Sequence, residues 1–363
     1  MLSQQQVPGA VEEILRDFFD ATAPSLEEIS PVVTEAGAAL AEFVLTGGKR
    51  LRPLFVHAGW RCAATESTAA ATEPLALRVG GAIELIQACA LVHDDILDRS
   101  DTRRGQPTVH QRFSALHRHH RWSGDSAHHG SSVAILLGDL ALAWADDLVH
   151  GLRPTFDDGP APVPLPPAAG TLWARMRTEV LGGQLLDITN EASADETVDA
   201  AYRVMKYKTA AYTVARPLQI GAALGEGSAE LSEALWRIGT DLGLAFQLRD
   251  DLLGVFGDPA ETGKPSGDDL VTGKRTVLVA QALADSSAAT AATLRGFLGR
   301  ALSATELATA RGILIDSGAL AAVEGQIDDH LSSALAEIDA LETSPLARAD
   351  LTALAHRIAH RQK

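Results

Sequence analysis

The chain has 363 residues, of which 46% are hydrophobic and 21% are charged, a balance typical of a globular protein. Its formal net charge of −16 argues against a nucleic-acid partner, because a polyanion would be repelled. The two cysteines, Cys62 and Cys89, lie in apolar helical surroundings, which predicts no disulfide framework and favours the reducing cytoplasm. The start has neither a basic leader nor an apolar run, and no stretch reaches the roughly eighteen apolar residues of a membrane span. We therefore expect neither a signal peptide nor a membrane span.

Helical periodicity dominates the chain from its first segment, near Val11, onward. Further helices are predicted from Val79, Ser131, Leu172, Ala201 and Glu233. Several of these are apolar nearly all round, which is typical of central helices in a large bundle. No stretch alternates long enough for a sheet, and the apolar pattern does not break into two cores. The prediction is one large all-α domain over residues 1–363.

Two stretches interrupt the helical pattern and are predicted to be surface loops, at about 114–130 and about 153–170. The second is too rich in proline for a helix. The first is rich in histidine, and a zinc site would be one interpretation. Because these side chains lack the regular spacing of a structural zinc site, solvated loop histidines are favoured. They are His117, His119, His120, His128 and His129.

Two clusters of aspartate lie within apolar, helix-like sequence. The stretch "LVHDDILDRSDTRRGQPTVH" contains Asp94, Asp95 and Asp98, whose spacing of three and four places them at neighbouring positions on a helix. Asp250 and Asp251 form a second pair in "FQLRDDLLGVFGD". Buried carboxylates are costly unless cations meet them. Two such clusters facing across a bundle would hold divalent ions, and hard oxygen ligands favour magnesium.

Basic residues flank both clusters. Arg103 and Arg104 follow the first cluster, "GGKRLRP" supplies Lys49, Arg50 and Arg52, and the sequence after the second cluster supplies Lys264, Lys274 and Arg275. This sequence is not a Walker P-loop, because Pro265 stands where Ser or Thr would coordinate magnesium. Arginine forks match phosphate oxygens. A ligand with a diphosphate at one end and a buried hydrocarbon at the other would use all these features.

Together, "DDILD" with "TRRGQPT" and "GGKRLRP" resemble the trans-type polyprenyl diphosphate synthases, with the motifs in the family's order from about Gly47 to Arg275. The resemblance implies a helical bundle of the isoprenoid synthase type with a central cavity. It implies a prenyltransferase that joins isopentenyl diphosphate head-to-tail to dimethylallyl, geranyl or farnesyl diphosphate. It also implies a homodimer and dependence on Mg²⁺, with about three ions per active site.

The resemblance also implies roles for individual residues. The magnesium ligands would be Asp94, Asp95, Asp98, Asp250 and Asp251. Arg103 and Lys264 would contact the allylic diphosphate, and Lys49, Arg52 and Arg104 would hold isopentenyl diphosphate. Lys208, Thr209 and Gln247 would line the reacting allyl group, while Asp269 and Lys274 complete the diphosphate cage.

Two positions depart from the family's pattern. Gly254 stands where the second motif usually ends in a third aspartate, and activity is nevertheless expected. Arg61 stands where many relatives carry a histidine for isopentenyl diphosphate, with His57 one helical turn earlier, and Arg61 is the candidate to serve that diphosphate.

Product length is predicted from the helix that carries the first aspartates, beside which the tail grows in this family. Cys89 and Ala90 are small, so a farnesyl product is disfavoured, while Leu85 and Ile86 one turn earlier are bulky enough to form a floor. Geranylgeranyl diphosphate is the predicted product and longer chains are the alternative. Side chains of the segment "AILLGDLALAW" could set the floor instead.

Two other functions remain open. A terpene cyclase shares the helical fold and the first aspartate cluster. It needs no second diphosphate site, however, so the presence of "GGKRLRP" argues against a cyclase. A non-catalytic partner subunit of a heteromeric synthase should have lost aspartates or arginines from the first motif, and here all are present.

Overall fold

The computed structural model of the protein describes residues 1–152, 163–258 and 267–359. The backbone of this part is overwhelmingly helical, and its only strands are the antiparallel pair Thr102–Arg103 (β1) and Gln106–Pro107 (β2). The predicted all-α fold is therefore confirmed. The chain divides into two compact units, Met1–Pro167 with Leu224–Glu226 and Ala168–Ala223 with Gly227–Lys363. The single domain over residues 1–363 stays a prediction.

The first unit is built around one long helix. Its helices are Val7–Ile29 (α1), Pro31–Leu45 (α2), Leu51–Ala63 (α3), Glu66–Leu97 (α4), Val109–His120 (α5) and Ser126–His150 (α6). The central helix α4 packs against α1, α3 and α6. Gly80 permits the close approach of α3, because a Cβ there would lie 3.1 Å from Pro53 Cβ.

Helix α4 is also the one helix in the described residues that is long and apolar enough to cross a membrane. In the structure, 78% of its most apolar window is buried inside the protein. Core helices pass the same test of length and composition, so this helix is weak evidence for a membrane span.

The second unit is built around a helix that carries the second aspartate pair. Its elements are Pro167–Ser193 (α7), Val198–Val204 (α8), the π-helix Met205–Ala215, Arg216–Leu224 (α9), Ala229–Phe256 (α10), Asp268–Thr272 (α11), Val277–Asp285 (α12), Ala288–Arg295 (α13), Ala304–Asp316 (α14), Ala319–Ala340 (α15) and Pro345–Ala359 (α16). Helix α10 packs against the π-helix and α15. Gly243 lets α10 lie directly on the backbone of Ala210 in the π-helix.

The predicted loop at about 114–130 is wrong in extent, because α5 continues to His120 and α6 begins at Ser126. Arg121, with a φ of 53°, turns the chain out of α5, and the Asp125 carboxylate accepts a hydrogen bond from the Ala127 amide to cap α6. His117 is only 5% exposed, and its Nε2 donates to the Ser123 carbonyl at 3.1 Å, so it is not a solvated histidine. His129 is half-buried, while His119, His120 and His128 are exposed.

The second predicted loop, about 153–170, lies in part outside the described residues, which omit 153–162. Its predicted end is wrong, because α7 already begins at Pro167. A proline is tolerated in the first turn of a helix, where its missing N–H has no intrahelical partner to lose.

Candidate active site

The first aspartate cluster lies at the carboxyl end of α4. The helix ends at Leu97, and the Asp98 amide closes the last turn on the Asp94 carbonyl at 2.8 Å. Asp95 is only 1% exposed, whereas Asp94 and Asp98 are half-buried. The structure therefore brings the three predicted ligands together and separates one buried carboxylate from two accessible ones.

The buried carboxylate is met by Arg103. Arg103 Nε lies 2.9 and 3.0 Å from the two Asp95 carboxylate oxygens, and its Nη2 lies 2.7 Å from Asp95 Oδ1 and 3.7 Å from Asp94 Oδ2. Burial raises the pKa of Asp95 by more than the hydrogen bond from Arg103 lowers it. Burial lowers the pKa of Arg103, but the bond to Asp95 and the nearby aspartates raise it overall. Arg103 thus compensates the charge of the aspartate cluster.

The two adjacent arginines point to different partners because they lie in a tight hairpin. Arg104 and Gly105, with φ values of 53° and 73°, form the two-residue turn between β1 and β2, as a type I′ turn requires. While Arg103 bonds to the aspartates, Arg104 Nη1 donates to the Thr46 carbonyl at 3.0 Å. The hairpin therefore links the aspartate cluster to the segment that precedes α3.

The predicted isopentenyl diphosphate site, "GGKRLRP", spans Gly47 to Pro53, and its first four residues form a loop before α3 begins at Leu51. Gly47 and Gly48 have φ values of 82° and 95°, and a Cβ at Gly47 would lie 3.1 Å from Arg104 Nη1, so both positions favour glycine. Burial lowers the pKa of Arg104, and the nearby guanidinium groups of Arg103, Arg50 and Arg52 lower it further. The structure thus gathers several cations at the start of α3, where the helix dipole also favours anions.

Arg61 lies apart from this loop. It is nine residues after Arg52 on α3, about 13 Å along the helix axis. Its side chain is 6% exposed, and Nη2 donates to the Leu2 carbonyl. His57 is also buried, with Nε2 at 3.0 Å from Glu73 Oε1. The structure therefore does not place Arg61 with Lys49 and Arg52, and its contact with diphosphate stays a prediction.

The second cluster lies on α10 in the second unit. Gln247 Nε2 donates to Asp251 Oδ1 at 2.7 Å, and Asp251 is 6% exposed beside the half-buried Asp250. Burial raises the pKa of Asp251 well above its ordinary value, and the Asp269 charge raises it further. Lys274 Nζ lies 3.9 Å from Asp269 Oδ1. Lys264 falls outside the described residues.

Lys208 and Thr209 lie in the π-helix, a rare backbone form that is found mostly at functional sites. Lys208 Nζ forms an ion pair with Asp187 Oδ2 on α7 at 2.6 Å. Gly183, one turn before Asp187, lies against the Lys208 backbone, where a Cβ would overlap it. Asp187 is a partner that sequence reasoning missed, although "GGQLLDI" does place a lone carboxylate in an otherwise apolar stretch.

Comparison with known proteins identifies the family. The family model described as Polyprenyl synthetase matches residues 34–311. The chain belongs to the polyprenyl synthetase family. The family assignment, the enzyme class and the prenyltransferase function predicted from the sequence are thereby confirmed.

The chain is similar to several named polyprenyl synthetases. It is 31% identical over 310 residues to the geranylfarnesyl diphosphate synthase of Aeropyrum pernix, covering 85% of this chain and 86% of that protein. It is 33% identical over 288 residues to the geranylgeranyl diphosphate synthase of Mycobacterium tuberculosis, covering 78% and 73%. The chain is also similar to the crystal structure of geranylgeranyl pyrophosphate synthase from Corynebacterium glutamicum, complexed with isoprenyl diphosphate and magnesium. The match covers 100% of each chain, with a TM-score of 0.91 and 44% sequence identity.

The residues predicted to set product length lie close together on α4 and differ in burial. Ala90 is half-buried, on the side of α4 that carries the half-buried Asp94. Cys89 and Ile86 are buried, and Cys89 Sγ lies 3.7 Å from His93 Nδ1, whose ring contacts the Ile135 carbonyl of α6 through Nε2 at 3.1 Å. Burial raises the pKa of the Cys89 thiol to about 11, so the thiol stays protonated at neutral pH. Ala90 is the least buried of the three residues, and its role in setting product length stays a prediction.

Proposed function

We propose that the protein condenses isopentenyl diphosphate with an allylic diphosphate. The reaction releases inorganic diphosphate and lengthens the prenyl chain of the allylic substrate by one isoprene unit. The single observation that carries the proposal is that two adjacent arginines bond to different partners. Arg103 bonds to the Asp94–Asp95 cluster, and Arg104 bonds to the Thr46 carbonyl at the start of the isopentenyl diphosphate loop. This arrangement supports two neighbouring anion sites, one rich in carboxylates and one in which cations predominate.

The carboxylate-rich site suits the allylic diphosphate together with magnesium. Among the described residues, no three His, Cys, Asp or Glu side chains converge closely enough to hold a metal ion by themselves. Magnesium is commonly bound by one or two carboxylates together with substrate phosphates and water, and the half-buried Asp94 and Asp98 offer such oxygens. Asp95, Asp250 and Asp251 complete the proposed ligand set, with about three ions per site. When bound, magnesium would neutralise the leaving diphosphate.

The cationic site suits isopentenyl diphosphate, which needs no ionisation. Lys49, Arg52 and Arg104 are the proposed contacts, because they belong to the loop and hairpin that Arg104 ties together. Guanidinium groups bind phosphate oxygens in pairs, and glycines at positive φ allow the backbone to approach the ligand. Arg103, Lys264 and Lys274 are the proposed contacts of the allylic diphosphate.

The reaction breaks the allylic carbon–oxygen bond, whose electron pair leaves with diphosphate. The double bond of isopentenyl diphosphate then supplies the pair for the new carbon–carbon bond, and a proton is lost from the isopentenyl part. Gln247 donates its amide N–H to Asp251, which turns its carbonyl oxygen away from that carboxylate. We assign this oxygen and the Thr209 hydroxyl to stabilising the allylic cation, with Lys208 held in place by Asp187.

The proposed product is geranylgeranyl diphosphate, made from dimethylallyl, geranyl or farnesyl diphosphate. The relatives support a product in this range, since they are named for geranylgeranyl and geranylfarnesyl diphosphate. We further propose a homodimer in the cytoplasm. The family resemblance supports the homodimer, and two buried cysteines that form no disulfide support the location.

One assay separates this function from the alternatives of a terpene cyclase and a non-catalytic partner subunit. The purified protein is incubated with magnesium, labelled isopentenyl diphosphate and each allylic diphosphate in turn. Elongated diphosphates support the synthase. A hydrocarbon product would instead identify a cyclase, and no turnover with any primer would identify a partner subunit.

A further inference from the structure

A buried ion pair lies directly behind the isopentenyl diphosphate loop. Arg50 Nη1 lies 2.6 Å from Glu84 Oε2 on α4, and each side chain is only 7% exposed. Arg50 Nη2 donates to the Val44 carbonyl at 2.7 Å, which satisfies a backbone group at the end of α2. Buried charges are tolerated only with good geometry and additional hydrogen bonds, and this pair has both.

Arg50 controls the backbone of the loop in which it lies. Its φ of 49° and ψ of 40° are left-handed, a conformation that is costly for a residue with a side chain and persists only where the surroundings impose it. Arg50 follows Lys49 directly and immediately precedes α3, which starts at Leu51. The direction in which Lys49 and Arg52 leave the backbone therefore depends on the conformation of Arg50.

Glu84 connects this loop to the aspartate cluster through a single rigid element. It lies ten residues before Asp94 on α4, about 15 Å along the helix axis. From the other side, the hairpin holds the same loop through the bond between Arg104 and the Thr46 carbonyl. Glu84 also raises the pKa of Arg104, opposing the guanidinium groups that lower it. The loop is thus fixed at two points to the elements that carry or bind the first aspartates.

We infer that Glu84 is a positioning residue for isopentenyl diphosphate: through Arg50 it fixes the loop so that Lys49 and Arg52 meet the diphosphate of this substrate. The inference rests on the proposed function and assigns a role to two residues that bind no substrate themselves. Its consequence should be selective, because the Arg50 side chain bonds to Glu84 and to the carbonyls of Val44 and Leu45, whereas Arg103 meets the aspartate cluster.

The test is Glu84→Gln, which keeps the shape of the side chain and removes its charge. We expect the KM for isopentenyl diphosphate to rise at least about tenfold, while kcat and the KM for the allylic diphosphate change less than about threefold. The dissociation constant of isopentenyl diphosphate, measured by calorimetry without an allylic substrate, should rise equally. Glu84→Asp, which restores the charge, should recover part of the loss.

The matched control is Glu179→Gln. Glu179 forms a comparably buried ion pair with Arg216 in the second unit, with Nη2 and Oε1 also 2.6 Å apart. This variant should lower the melting temperature without raising the KM for isopentenyl diphosphate. If Glu84→Gln does not fold, Arg50→Lys is the test variant instead. A lysine keeps the charge that meets Glu84 but cannot also make the hydrogen bond that Arg50 Nη2 donates to the Val44 carbonyl.

An unchanged KM for isopentenyl diphosphate in the folded variant would overturn the inference, as would an equal rise for both substrates or an equal rise in Glu179→Gln. These outcomes require an active wild-type enzyme. If the wild-type protein makes no elongated product, the proposed function fails instead, so the two failures are distinguishable.

Discussion

Gly254 lies directly against the carboxylate of Asp269: a Cβ at position 254 would overlap Asp269 Oδ2. Asp269 is itself buried and raises the pKa of Asp251, so the space beside the second cluster is already occupied by a carboxylate. We therefore predict that Gly254→Asp, which restores the family's usual aspartate, lowers kcat by about tenfold or more rather than raising it. Steady-state kinetics of the purified variant measure the effect.

Gly312→Ala is the matched control for that variant, because Gly312 is also helical but has nothing within 4 Å of its added Cβ. It should retain wild-type activity and gain slightly in stability. A Gly254→Asp enzyme faster than the wild type would show that Asp269 moves aside freely.

Two carboxylates are predicted to be essential for turnover. Asp94→Asn and Asp250→Asn should each reduce kcat by at least about a hundredfold, because each would remove an oxygen ligand of magnesium at the reacting diphosphate. Their helical content, measured by circular dichroism, should match the wild type. Asp17→Asn, an exposed position on α1, is the control and should be fully active. Near-normal turnover in either test variant would contradict the metal assignment.

The two diphosphate sites should separate kinetically. Arg52→Ala is expected to raise the KM for isopentenyl diphosphate about tenfold or more, and that for the allylic diphosphate far less. The reason is that Arg52 lies in the first turn of α3, directly after the loop that Arg104 holds, whereas the aspartate cluster is compensated by Arg103. The reverse ranking of the two KM values would show that the sites are interchanged.

Asp251 should make the metal-free enzyme less stable as the pH rises. Its raised pKa means that, above the ordinary aspartate range, the folded state keeps a proton that the unfolded state has lost. Stability must then fall as pH rises through the folded pKa. In EDTA, Asp251→Asn should melt about 2 °C or more above the wild type at about pH 8, with a smaller difference at about pH 5. Equal melting curves at both pH values would remove the basis of this prediction.

Product length should respond to Ala90. In Ala90→Phe the ring would project from the half-buried side of α4 that carries Asp94, where it would shorten the space for the growing tail. The variant should release a product at least one isoprene unit shorter, as measured by chromatography of the dephosphorylated products. Cys89→Ala, which keeps a small side chain, should leave the length unchanged. A wild-type product from Ala90→Phe would place the floor on another helix.

Local sequence features were sufficient to predict the helices, the two aspartate clusters and the basic loop. Apolar periodicity defines α4 and α10, and the spacing of Asp94 and Asp98 follows from the helical repeat. The end of α5 was missed because the histidine-rich stretch has no strong period, while the actual boundary depends on the left-handed Arg121 and the capping Asp125.

Pairings between distant residues could not be predicted from the sequence. In the sequence, Arg50 cannot be distinguished from its basic neighbours Lys49 and Arg52. Only its ion pair with Glu84, 34 residues away, shows that its side chain is buried. Likewise, a role for Asp187 could be recognised only from its ion pair with Lys208, which lies 21 residues later in the sequence. Arg61 resembles a loop cation by type, but its distance from Arg52 along α3 and its bond to the Leu2 carbonyl are tertiary facts.

The most direct test of the central claim is the stoichiometry of inorganic diphosphate release in the presence of magnesium. The condensation mechanism predicts one diphosphate released for each isopentenyl unit incorporated, with no release when either substrate is supplied alone. Release from the allylic diphosphate alone, at a rate unaffected by isopentenyl diphosphate, would contradict the assignment of two cooperating diphosphate sites.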